Sequence, residues 1–291
     1  MPEGDTVWLA AARMHRVLAG RVLTRFDLRV PLHATADLTG RAVLAVLPRG
    51  KHLLIRIDGE VTLHTHLRMD GSWHLVRAGD RWRGGPAHEV RVVLANDGWQ
   101  AIGYRLHDVL LLPTADEHRV VGQLGPDLLG PDWDLARAVA RLAAQPNREI
   151  GQALLDQRNL AGIGNLYKAE TLFLCGVSPF TLVADVPDLA HLAGTARRLL
   201  LANRDRPDQS TTGDLRRSRQ HWVYERTGQP CRRCGSPVVR AGQGPPAQVR
   251  ITYWCRSCQP GPPAPGRGTN PGRGTNPGRG TNPGRGTNHS R

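Results

Sequence analysis

Lysine is almost missing from this chain: among 39 basic residues only Lys51 and Lys168 are not arginine. A guanidinium is effectively always protonated, so ordinary surface charge here is arginine, and a site that needs a compact ammonium able to release its proton has only these two side chains. Long apolar runs are missing too. No stretch approaches the ~18 consecutive apolar residues of a membrane-spanning helix, which excludes that class. The opening MPEGDTVW carries carboxylates at Glu3 and Asp5 and no basic segment leading into an apolar run. A secretory signal is thereby excluded and a cytoplasmic protein expected. Cysteine is scarce, with five in 291 residues. Four of them form two CxxC pairs, a metal-site pattern rather than a disulfide framework for a reducing compartment.

What is present is positive charge. The formal net charge is +14, the footprint of a polyanion binder. Five arginines (267, 273, 279, 285 and 291) lie in an acid-free tail, where PGRGTN occurs four times over 265–288. That tail has no apolar residues with which to build a core and reads as disordered.

The length predicts two packed domains plus extras. Val7, Ala10, Ala11, Met14 and Leu18 stand at helical spacing, with Asp5 or Thr6 available as N-cap. From Val22 to Leu112 the texture changes to short strand-like runs (HLLIRI, VTLHTHL, SWHLV, EVRVVL, WQAIGY) separated by Gly, Asp and Asn turns, a β-sandwich or barrel. After Pro113 helical patterns return at 135–144, 149–156, 166–174 and 189–202. Between the second and third of these lies QRNLAGIGN, whose Gly162 and Gly164 permit two successive turns before a helix restarts near Asn165. The expected fold is α+β and multidomain: an N-terminal helix plus β-sandwich (2–113), a helical helix-two-turn-helix domain (114–215), a C-terminal zinc-finger hairpin (216–260) and a tail (261–291).

CRRC at 231–234 and CRSC at 255–258 are separated by twenty residues. This spacing suits tetrahedral zinc held by the thiolates of Cys231, Cys234, Cys255 and Cys258, one structural ion per chain with no open position for substrate. Just before the second pair, RITYW places Arg250 near the hairpin tip, where a guanidinium suits a phosphate. Cys175, in LFLCGV, reads as core. Lys168, in a helix beside Glu170, reads as solvated surface or an auxiliary backbone contact. Asn165 opens a helix after a glycine turn, where exposed N–H groups favour a phosphate or the side chain simply caps.

Taken together, MPEG, RGKHL, HLRMDG, LLDQRNLAGIGNLYKAE and R-x-T-x-W-C-x-x-C, in that order, resemble the family of formamidopyrimidine-DNA glycosylase and endonuclease VIII. The resemblance covers nearly the whole chain except the tail. It implies a bifunctional DNA glycosylase and AP lyase of base excision repair, working on double-stranded DNA that contains oxidised bases or abasic sites. Its nucleophile would be the amine of Pro2, freed by removal of Met1. An α-amine has a reference pKa near 8 against about 10.4 for lysine, so roughly a tenth is ready to attack at neutral pH. A secondary amine attacking the sugar C1′ yields an iminium that acidifies neighbouring protons, so strand cleavage by β,δ-elimination follows. The resemblance further implies that Glu3 handles protons at the sugar, Lys51 contacts phosphate and serves β-elimination, and Arg250 serves δ-elimination. Asn165 would hold the backbone at the lesion. Arg68, Met69 and Asp70 would fill the void left by the flipped base, Met69 as the wedge.

Three departures favour the endonuclease VIII branch and oxidised pyrimidines. Thr6 replaces a second glutamate, the connection TTGDLRRSRQHWVYERTGQPC is short, and GYRLHD lacks an Arg-Phe pair. Thr6 departs from better-known members of that branch as well. The expected setting is the bacterial cytoplasm on nucleoid DNA, as a monomer with no membrane. Two other classes stay open on the residues: a non-catalytic zinc-finger nucleic-acid binder, and an N-terminal-proline tautomerase, which leaves the finger unexplained.

Overall fold

The computed structural model describes residues 2–262 and 264. Met1 and the expectation of a disordered repeat tail lie outside the described residues. The chain opens with α1 (Gly4–Leu18), followed by β1 (Arg25–Leu28), β2 (Val43–Arg49), β3 (His52–Ile57), β4 (Val61–His66), β5 (Ser72–Arg77), β6 (Val90–Ala95), β7 (Trp99–Tyr104) and β8 (Asp108–Pro113). Five helices come next: the single turn α2 (His118–Val121), α3 (Leu135–Ala143), α4 (Ile150–Leu155), α5 (Asn165–Leu174) and α6 (Leu189–Asn203). A hairpin of β9 (Val239–Gln243) and β10 (Arg250–Trp254) closes the series.

The eight strands form two antiparallel sheets, ordered β2-β3-β4-β8 and β1-β6-β7-β5. Alternation along the strands turns Leu53, Ile55, Ile57, Leu63, Val92 and Leu94 into a shared interior. Val7, Ala11, Met14 and Leu18 of α1 close that interior. Each of the larger of these side chains contributes roughly 1.5–3 kcal/mol by leaving water. The helix starts earlier than the sequence pattern suggests, because Glu3 and not Asp5 or Thr6 is the N-cap residue. Thr6 Oγ1 accepts from the Glu3 N–H at 3.5 Å, while Asp5 is committed inward, taking the Tyr167 hydroxyl at 2.6 Å.

The helical core is built from Leu142, Ile150, Leu154, Ile163, Tyr167, Leu172, Leu192, Ala196 and Leu200. At its centre every residue of α5 except Leu174 is buried, with α4 and α6 on it and β10 against it. Lys168 therefore has no surface to occupy: it is fully buried, contrary to the expectation of solvated charge. Cys175, expected in the core, is half-buried at the C-cap of α5. The cysteine segment around the hairpin rests on Ala169 and Phe173 of α5 through Val223, Val238 and Cys255.

Candidate functional site

The start of the chain is clamped into the two turns between α4 and α5. Gly4 donates its N–H to Gly162 O at 2.8 Å. The Glu3 carboxylate accepts from the N–H groups of Gly164 (2.7 Å), Leu166 (2.7 Å) and Tyr167 (3.4 Å). It thus occupies the positive end of α5, where free N–H groups and the helix dipole favour an anion. Two glycines make this approach possible. A Cβ on Gly164 would collide with the Glu3 carboxyl, and one on Gly4 would come within 2.9 Å of Gly162 Cα. Gly162 itself has φ +100°, open to glycine at little cost. Burial pushes the Glu3 carboxyl above its ordinary value, with Lys51 and the α5 N–H groups pulling the other way.

Lys51 follows a left-handed Gly50 (φ +56°) at the β2–β3 turn. Asp127 fixes that turn: its carboxylate accepts from Gly50 N at 2.6 Å and from Leu129 N at 3.0 Å. Lys51 is half-buried, and burial pushes its ammonium down, opposed by Glu3 and reinforced by Arg250. The amine is therefore nearer to giving up its proton than a surface lysine.

Beyond β4, residues 67–71 turn back sharply. A Cβ on Gly71 would fall 2.5 Å from Leu67 O, and Arg68 adopts φ +53°. The turn is braced from the start of β8 and the residues just before it. Arg68 Nε donates to Asp108 at 2.6 Å, Arg105 Nε to Asp70 O at 3.0 Å, and His107 meets the Asp70 carboxylate at 2.9 Å. Met69 is left at the apex, 57% exposed, which is unusual for a residue that normally fills cores. His66 Nδ1 accepts from Arg68 N at 2.9 Å. Burial holds the ring well below neutrality, at about 4, so the neutral imidazole carries its proton on Nε2 and is a donor there.

Asn165 does not act as the N-cap of α5, which is Gly164. Its amide instead donates to Ile251 O at 2.8 Å, joining the helix start to β10. Arg250, the first residue of β10, is exposed at the turn end of the hairpin, paired with Gln243 in the ladder.

These pieces meet in one cleft of ≈ 340 Å³, lined by Pro2, Lys51, His66, Arg68, Met69, Leu155, Gln157, Gly164, Asn165 and Arg250. Glu3 lies directly behind its Gly164 wall. Of the residues the sequence assigned to the wedge turn, Arg68 and Met69 line the cleft and Asp70 faces away, toward His107. His66 and Gln157 were missed. His66 could have been noticed as a donor-capable residue just before the RMD turn, whereas Gln157 bonds the backbone of Leu155, Gly162 and Ile163, a buttressing role with no local signal. A wider groove of ≈ 570 Å³ continues past Leu155, Gln157 and Arg250 toward Arg148 and Arg158. An amine, a buried carboxylate and a ring of cations suit nucleophilic attack beside a phosphodiester.

Away from the cleft, the four sulfurs of Cys231, Cys234, Cys255 and Cys258 lie within 4.8 Å of one another and could hold a metal ion.

The chain is similar to known proteins along most of its length. The model described as the formamidopyrimidine-DNA glycosylase N-terminal domain matches residues 1–109, and that of the formamidopyrimidine-DNA glycosylase H2TH domain matches 124–199. A Streptomyces coelicolor protein named probable endonuclease 8 2 is 58% identical over 272 residues, 92% of this chain and 98% of its own. The Mycolicibacterium smegmatis DNA-(apurinic or apyrimidinic site) lyase Nei2 is 45% identical, covering 89% of this chain and 99% of its own. A solved complex between the Lactococcus lactis Fpg and an abasic site containing DNA shares the fold, with a TM-score of 0.74 at 21% identity over 89% of this chain and 100% of that one.

Proposed function

Because the chain belongs to the family of formamidopyrimidine-DNA glycosylase and endonuclease VIII, we propose that it is a bifunctional DNA glycosylase and AP lyase of base excision repair whose nucleophile is the amine of Pro2. One observation carries the reading: Pro2, Lys51, Asn165 and Arg250, from four distant parts of the sequence, line a single cleft, with the Glu3 carboxylate behind it. The Pro2 amine attacks C1′ of the damaged nucleotide and the base departs. Glu3, buried and raised toward the protonated form, is suited to pass a proton to the opening sugar. The resulting iminium makes the adjacent C2′ proton acidic. Lys51, with its ammonium weakened, and then Arg250 support the departure of the 3′ and 5′ phosphates.

Arg68 and Asp70 brace the turn that presents Met69, and Met69 enters the stack in place of the flipped base. A second cavity of ≈ 460 Å³, lined by Thr6, Arg13, Leu67, Gly71 and His74 among others, lies on the other side of the same turn and has room for that base. Oxidised pyrimidines are the proposed lesions, on the strength of Thr6 and the short connection ahead of the finger. Action as a monomer on nucleoid DNA in the bacterial cytoplasm belongs to the same proposal; among the described residues no helix is long and apolar enough to cross a membrane.

The test is borohydride trapping on duplexes that contain thymine glycol or an abasic site. A covalent adduct is expected, and its absence overturns the enzyme reading in favour of a passive nucleic-acid binder. Gly164→Ala should push the Glu3 carboxyl out of its cradle and lower base removal by about 10²-fold or more, the usual worth of a positioned acid-base group. Steady-state excision rates check this.

Zinc is the proposed occupant of the cysteine cluster. A tetrahedron with Zn–S bonds of about 2.3 Å has edges of about 3.8 Å. The Cys231–Cys258 and Cys234–Cys255 sulfur separations are 3.8 and 3.5 Å. The ion would hold the hairpin and take no part in the chemistry. Chelation should unfold the finger, release Arg250 and weaken DNA binding; unchanged affinity in verified metal-free protein contradicts this.

A further inference from the structure

Lys168 has no part in the reaction above, yet it sits where a lysine is least expected. It is fully buried within α5, and its Nζ has no hydrogen-bond partner among the described residues. A buried amine without a counter-ion is costly in either form and heavily so when charged. Its neighbours extend the anomaly. Asn165, Lys168 and Thr171 follow one another at three-residue steps and form a row along one side of the helix. Asn165 Oδ1 and Thr171 Oγ1 are also buried and unpartnered, as is Thr252 Oγ1 on β10, the strand packed on α5. Thr252 is two residues from Arg250, and Asn165 bonds the carbonyl of the residue between them.

The charges acting on Lys168 come from the chain start and from β10. Burial pushes its ammonium down to about 7, Glu3 opposes this and Arg250 adds to it. Other charged groups on the elements around α5 are engaged elsewhere. Asp156 holds Arg148 and Arg158, Arg197 bonds Leu128 O, and Arg198 bonds Thr195. Glu149 bonds Gln152 and Gln243, and Glu170 takes Thr211 and the N–H groups of residues 222–224.

We propose that Lys168 is a positioning residue for the second elimination: through the polar row it shares with Asn165 and Thr252, it sets how β10 holds Arg250 against the departing phosphate. In that step the C4′ proton passes to solvent water in the open cleft, a C4′=C5′ bond forms, the C5′–O bond breaks, and the phosphate departs with the electron pair into the field of Arg250. The inference rests on the reading of Arg250 as the residue serving δ-elimination.

The test compares the full-length protein with Lys168→Met and Lys168→Arg on a duplex carrying a preformed abasic site. Adduct yield, the ratio of δ to β products and melting temperature are followed between about pH 6 and 8.5, where Lys168 titrates. In the wild type the δ share should rise with pH as the amine loses its charge and ceases to repel Arg250. In Lys168→Met, which has no amine to place in the polar row, it should fall by up to about tenfold, the net worth of one ordinary hydrogen bond, and lose this pH dependence. Lys168→Arg, permanently charged, should lack δ product at every pH. Stability supplies a second readout. A lysine whose folded pKa is depressed stabilises above its ordinary 10.5, and that contribution is lost as pH falls toward about 7. Lys168→Met should therefore melt no lower than the wild type, with an advantage that grows as pH falls toward neutrality. An unchanged product ratio and pH profile in Lys168→Met overturns the proposal, as does a lower melting temperature with adduct and δ product falling in step. A wild type that forms no adduct overturns the enzyme reading itself, whereas an adduct with an unchanged ratio overturns only the role of Lys168.

Discussion

A chain that keeps Met1, or carries an uncleaved tag ahead of Pro2, is expected to form no borohydride-trapped adduct and to cut abasic-site DNA at least about a thousandfold more slowly, the scale on which loss of a nucleophile is felt. The reason is local. Acylation turns the proline nitrogen into a tertiary amide, whose lone pair is delocalised into the carbonyl and whose cationic iminium can no longer form. The fold should be indifferent. The clamp that seats the chain start is made by Glu3 and Gly4 on Gly162, Gly164, Leu166 and Tyr167, and none of these bonds involves the nitrogen of Pro2. Metal content and melting temperature should therefore match those of the processed protein. The principal competitor is Lys51, half-buried in the same cleft with its ammonium weakened. If Lys51 were the nucleophile, the blocked protein would remain active.

The second large effect is at Glu3. Glu3→Gln keeps the shape of the side chain but removes the acid, and should slow removal of an intact damaged base by about 10²–10⁴-fold. A preformed abasic site has no base to expel, so trapping at such a site should suffer much less. Comparing the two substrates separates proton transfer from nucleophilic attack. The pH dependence of stability has a definite sign. Burial raises the folded pKa of Glu3 above 4.5. The stability that this group contributes is thus full below its ordinary value and lost as pH rises through the folded pKa. Glu3→Gln is neutral throughout and should lack that decline, which melting curves across the acidic range can resolve.

How far the sequence foretold this molecule depended on which residues have a solvent face. The sandwich was legible because its strands alternate about two sheets, and α1, α3 and α6 because each has one apolar side. Four cysteines and a glycine pair marked the hairpin and the two turns through spacing alone. The buried polar groups were not legible. Lys168 and Glu170 look like surface charge in any helix with an exposed side, but α5 is covered by α4, α6 and β10. Asp127 gave no signal, since its work is to hold Gly50 seventy-seven positions away. Asp70 and Arg68 read as void-filling residues, yet each is tied to the brace from residues 105–108, a contact only the folded sheet creates. Glu3 was found by motif, while its seat on the N-terminus of α5 depends on the absence of a side chain at Gly164.

The central claim is that Pro2 is the nucleophile, and the most direct measurement is the mass-spectrometric location of the reduced sugar after borohydride trapping on abasic-site DNA. The sugar remnant is expected on the nitrogen of Pro2, in an N-terminal peptide lacking Met1. A remnant on Lys51 or Lys168, or a trapped adduct on a chain that still carries Met1, would contradict it.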